Sequence, residues 1–80
     1  MTEEGFRQGL GQRILRGRKA LGLGQKQLAA RAGTSTSQIS RYECGSAEPR
    51  LSRFLKLCKA LGATPNDLLL DLDEDPDERT

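Results

Sequence analysis

Histidine and tryptophan are missing from the 80 residues, and Phe6, Tyr42 and Phe54 are the only aromatic side chains. The cysteines are two, Cys44 and Cys58, and they do not form a CxxC pair. Zinc sites and most general acid–base or triad catalysts draw on histidine or a cysteine cluster, so neither an enzyme nor a metal or cofactor site is expected. Two cysteines are also too few for a disulfide framework, and both are expected as reduced thiols. No apolar run approaches the roughly 20 residues of a membrane span. The opening Met-Thr-Glu-Glu is acidic where a secretory leader would be basic and then apolar. The expected location is the cytoplasm, with no membrane partner.

The length suits one small domain, since independent domains usually run from about 50 to 200 residues. With 35% hydrophobic and 30% charged residues, the core must be aliphatic, built from Leu, Ile and Ala, which favours helices. The net charge of +2 conceals a division. Residues 71–80 hold six acids and one base, a charge of −5, which leaves +7 on residues 1–70. Such a basic body is suited to polyanions. The acidic end carries Pro76 and no apolar residue beyond Leu72, so it has little to bury against the entropy of ordering. The expected organisation is a domain over 1–70 and a short disordered acidic C-terminal tail over 71–80. That tail either solubilises the chain or docks on the basic face or on a protein partner.

Period and punctuation predict five helices and no strand. Phe6, Leu10, Ile14 and Leu21 form a helical stripe over about Thr2 to Leu21, weakened in its first half by Gly5, Gly9 and Gly11 and later by Gly17. Gly22 ends it. Gln25 to Ala32 follows, with Leu28, Ala29 and Ala32 on one face, and Gly33 stops it. Ser35 and Gln38 make an S-x-x-Q capping box for a third helix that ends near Glu43 or Cys44, before Gly45. Beyond a turn with Pro49, Leu51, Phe54, Leu55, Cys58 and Leu61 give an amphipathic fourth helix. Thr64 as N-cap and Pro65 at the first helical position open a fifth. Leu68, Leu69, Leu70 and Leu72 exceed what that short helix needs for packing and are expected in a dimer surface.

The third helix carries the most information. At about 100° per residue, Gln38, Ile39 and Tyr42 point one way, while Thr36, Ser37, Ser40 and Arg41 span an arc of roughly 140° on the other side. That second face is polar and low in bulk. It suits a DNA major groove, where Arg pairs with guanine and Ser or Thr meets bases and phosphates.

The segments Leu10-Gly11-Gln12-Arg13-Ile14, Arg18, Gly22 to Ala29, Gly33 to Gly45, Pro49-Arg50-Leu51 and Lys59-Ala60-Leu61-Gly62 together resemble the Cro/lambda-repressor-like helix-turn-helix family, also called XRE. The likeness covers about Leu10 to Leu70 and joins these motifs in order along the chain. It implies an all-α, five-helix lambda-repressor-like domain, with Gln25 to Ala32 as scaffold helix and Ser35 to Cys44 as recognition helix. It also implies sequence-specific binding of double-stranded DNA, usually by a homodimer on a near-palindromic operator. By the same resemblance, Gln25 binds phosphate and supports the recognition helix, and Thr36, Ser37 and Arg41 reach base edges. Arg18 and Glu43 match a structural pair tying the first helix to the end of the recognition helix. Arg50, beside the turn, is a phosphate candidate, and Lys26 and Ser40 are further DNA-binding candidates. Arg53, Lys56 and Lys59 are read as a solvated face, and Cys58 as a small core residue.

Three positions depart from the family pattern. Gly24 stands where Ser or Thr commonly caps the scaffold helix, Thr34 replaces a common apolar residue in the turn, and Cys44 occupies a usually polar or basic position. The expected function is a DNA-binding transcriptional regulator, a repressor acting by occupancy, with no small-molecule ligand. The alternative from another class is an antitoxin-like or adaptor subunit whose acidic tail binds a protein partner, with autoregulatory DNA binding as a secondary role.

Overall fold

A computed structural model describes residues 2–73. They form α1 (Glu3–Ala20), α2 (Gln25–Ala32), α3 (Thr36–Cys44), α4 (Leu51–Leu61) and α5 (Pro65–Asp73), with no strand among the described residues. The fold is all-α. None of the described helices is long and apolar enough to cross a membrane.

Local chemistry sets the helix ends. Thr2 Oγ1 accepts from the Gly5 amide at 3.0 Å, and Glu3 and Glu4 at the start of α1 with Arg18 and Lys19 at its end oppose the helix dipole. Ser35 Oγ accepts from the Gln38 amide at 3.1 Å, so the serine half of the expected box forms; among the described residues the Gln38 side chain does not return a bond. At α2 the roles reverse. Gly24 has no side chain to offer, but Gln27 Oε1 accepts from its amide at 2.7 Å. A complete reciprocal cap occurs at α5, where Thr64 Oγ1 accepts from the Asp67 amide at 3.1 Å and Asp67 Oδ2 accepts from the Thr64 amide at 2.9 Å.

The core joins all five helices: Leu10 and Ile14 from α1, Leu28, Ala29 and Ala32 from α2, Ile39 and Tyr42 from α3, Phe54, Leu57, Cys58 and Leu61 from α4, and Leu68 from α5. α1 packs most extensively on α3, and α2 lies against both α3 and α4. Gly11, read from sequence as a weak point in α1, is the place where α1 and α3 cross. A Cβ there would stand 2.2 Å from the Tyr42 carbonyl oxygen, so only glycine permits this approach. α1 accordingly runs unbroken through its glycines.

Three expectations need correction. The buried stripe of α4 is Phe54, Leu57, Cys58 and Leu61, whereas Leu51 and Leu55 are 73% and 48% exposed. A 3.6-residue period allows both stripes, and contact with α2 selects the one containing Leu57. Leu68 is buried in the core, so it is not available as a dimer surface, and Leu69 is half-buried against that core. α5 also continues to Asp73, past the expected boundary at Leu70. The rest of the expected disordered tail, residues 74–80, lies outside the described residues.

Candidate nucleic-acid interface

α2 and α3 are joined by residues 33–35 in a turn fixed by backbone chemistry. Gly33 closes α2 in the left-handed conformation at φ 67°, and the Thr34 amide donates to Ala29 O at 2.9 Å. Ser35 then caps α3 at once. The short turn holds the two helices in one rigid arrangement.

α3 divides as its period dictates. Ile39 and Tyr42 are buried, while Thr36, Ser37, Ser40 and Arg41 are all exposed. Gln38, expected to face inward with Ile39, is exposed as well. No acidic residue lies in the first turn of α3. Its positive dipole end and hydroxyl side chains are therefore presented together on the outside.

Beneath that face lies a charged network. Arg18 donates from Nε to Glu43 Oε2 at 2.6 Å and from Nη2 to Glu43 Oε1 at 3.1 Å, with side-chain exposures of only 11% and 6%. Its Nη1 donates to Leu23 O at 2.9 Å. The bonds to Glu43 push the Arg18 guanidinium further above its ordinary ionisation range. Gln25 Nε2 donates to Glu43 Oε1 at 2.9 Å, so one carboxylate ties the ends of α1 and α3 to the start of α2. Gln25 is half-buried, and Lys26 beside it is exposed.

The loop after α3 supplies the other wall. Gly45 closes α3 at φ 80° against Gln8, and Arg7 Nε donates to its carbonyl at 3.3 Å. Arg50 is the exposed N-cap residue of α4. It shares a polar cleft of about 360 Å³ with Arg41, Arg53, Gln38, Thr34 and Ser52. Arg53 was expected to be solvated. Instead its Nη1 donates to both Ala32 O and Gly33 O at 2.6 Å. No side-chain pattern marks such a partner, because the acceptors are backbone carbonyls at the end of α2.

Cys44 is exposed at the end of α3, with Sγ 3.5 Å from Arg41 O and 3.3 Å from Ser46 Oγ. The Ser46 hydroxyl, assisted by the Arg41 charge, draws its pKa below the ordinary value. Cys58 behaves oppositely, since burial pushes its thiol up.

The helix-turn-helix family model HTH_3 matches residues 14–68. The chain is 37% identical over 64 residues to an uncharacterized HTH-type transcriptional regulator of Haemophilus influenzae, a match covering 80% of this chain and 65% of that protein. Among solved structures, the restriction-modification controller protein C.AhdI from Aeromonas hydrophila superposes with a TM-score of 0.75 at 35% identity, covering 78% of this chain and 94% of that one. The clp gene regulator ClgR from Corynebacterium glutamicum superposes at 0.77 with 29% identity, over 82% and 86% of the two chains. The chain belongs to the XRE-type, lambda-repressor-like helix-turn-helix family, a family of DNA-binding domains rather than of enzymes.

Proposed function

We propose that the protein is a sequence-specific, double-stranded-DNA-binding transcriptional regulator, and that it represses by occupying a near-palindromic operator as a homodimer. The observation that carries the reading is the outer face of α3. Thr36, Ser37, Ser40 and Arg41 are exposed together, and the Arg41 guanidinium has no protein acceptor among the described residues. In this reading Arg41, Ser37 and Thr36 read base edges in the major groove, with Ser40 one turn along. Lys26, Arg50 and the N-terminal end of α2 at Gln25 take backbone phosphates, which position the helix without selecting sequence. Gln25 spends one amide hydrogen on Glu43 and retains another for this purpose.

The homodimer is supported by two exposed leucines of α4, Leu55 and Leu51, the second of which lines an apolar groove of about 190 Å³ with Phe6, Leu10, Pro49, Phe54 and Leu69. The test is selection of duplexes from a random pool with the full chain. The expected product is an inverted repeat with half-site centres about 10 base pairs, or roughly 34 Å, apart. Recovery of no enriched sequence overturns the reading.

A further inference from the structure

Arg18 and Arg53 use the guanidinium fork in complementary ways. Arg18 places its Nε and Nη2 edge on the Glu43 carboxylate and its Nη1 on the Leu23 carbonyl. Arg53 places Nη1 on two backbone carbonyls, Ala32 O and Gly33 O. Two of its five N–H donors are thereby spent. The Nε and Nη2 edge, whose parallel N–H groups fit a carboxylate or phosphate, has no acceptor among the described residues. The half-buried Arg53 lines the same cleft as Arg41 and Arg50, and only Glu48 in that wall is acidic, which leaves the cleft at +2.

Resting on the DNA-binding reading, we propose that Arg53 is a backbone-phosphate ligand, held ready by its bonds to the α2–α3 turn and binding one phosphodiester of duplex DNA in the cleft between α3 and the start of α4. An arginine normally loses rotamer freedom when it grips an anion. Here the turn carbonyls have already fixed the side chain, so much of that cost falls on folding rather than on binding. The same bonds lock α4 to the turn. A phosphate held by Arg53 is therefore held in register with α3.

The test measures the anisotropy of a labelled duplex retained from the random pool, and of a random duplex, over a series of salt concentrations. Arg53→Gln is expected to weaken both duplexes by about tenfold, the scale of one charge-assisted bond. It should also make the slope of log K against log salt shallower by about 0.9, the release accompanying one phosphate. Arg53→Lys keeps the charge and should keep the slope. Because Arg53→Gln also disturbs the turn, Ser52→Asp is the companion variant. It leaves the Arg53 bonds in place and sets a carboxylate in the first turn of α4, where the helix dipole favours it. It should weaken both duplexes without lowering the melting temperature. An unchanged salt slope in Arg53→Gln, or undiminished binding by Ser52→Asp, overturns the phosphate role and leaves Arg53 as a clamp on the turn. Failure of the unaltered chain to bind any duplex overturns the DNA-binding reading itself.

Discussion

The Glu43 carboxylate accepts both the Nε and the Nη2 of Arg18, at 2.6 and 3.1 Å, so α3 is fastened to α1 from below while its outer face remains exposed. Removing one member strands a largely buried charge. Glu43→Leu is expected to cost about 2–4 kcal/mol of folding stability, whereas replacing both residues, Arg18→Met with Glu43→Leu, should cost less than the sum of the two single changes. Urea denaturation of the four proteins gives the coupling directly. A coupling near zero would mean that the pair contributes nothing to holding α3.

Two glycines of α1 should respond in opposite directions to the same substitution. At Gly11 a new Cβ meets the Tyr42 carbonyl at 2.2 Å, and Gly11→Ala should destabilise by about 3 kcal/mol because the α1–α3 crossing must open. At Gly17 the nearest atoms belong to Leu61 at 3.6 Å, an ordinary contact. Gly17→Ala should therefore stabilise by about 0.5–1 kcal/mol through helix propensity. Thermal denaturation separates the two, and equal effects would contradict the crossing geometry.

This contrast shows what the sequence disclosed and what it concealed. Helix limits were legible because Gly22, Gly33, Gly45 and Gly62, each at positive φ, punctuate the chain, and period alone gave the faces of α3 except at Gln38, which was expected inward and is exposed. Gly11 is indistinguishable in sequence from a defect, since its meaning depends on a carbonyl more than thirty residues away. Arg53 was hidden for the same reason. Leu51 and Leu55 fit a helical stripe as well as Leu57 does, and only the placement of α2 and α5 around α4 decides between them. The Thr64–Asp67 cap was half legible, through Thr64 and Pro65 but not through Asp67.

The two thiols should differ in rate and in pH response. Cys44, exposed and with its pKa lowered by Ser46, should take up a disulfide reagent first, and Ser46→Ala should slow it. Cys58 should react only when the domain opens. Its folded pKa is raised above the ordinary 9.0, chiefly by burial, so its contribution to stability is complete below that value and declines as pH rises towards the folded pKa. Cys58→Ala should therefore be less stable than the parent by about 1 kcal/mol near neutral pH, with the gap narrowing above about pH 9. A constant gap would contradict burial of the thiol.

Leu51 and Leu55 offer a test of the proposed homodimer that spares the core. Both are exposed at 73% and 48%, so Leu51→Lys with Leu55→Glu should change monomer stability by less than about 0.5 kcal/mol. Sedimentation should show a monomer, and binding to an inverted repeat should weaken more than binding to one half-site. An unaltered dimer would place the contact elsewhere.

The central claim is that α3 reads bases through its outer face. It is tested most directly by titrating the unaltered chain and Arg41→Ala against the selected duplex and a set with each base pair changed in turn. The account predicts that Arg41→Ala loses about 1–3 kcal/mol on the selected duplex and no longer discriminates at one position of each half-site. Equal affinity for the selected duplex, with discrimination intact at every position, would contradict it.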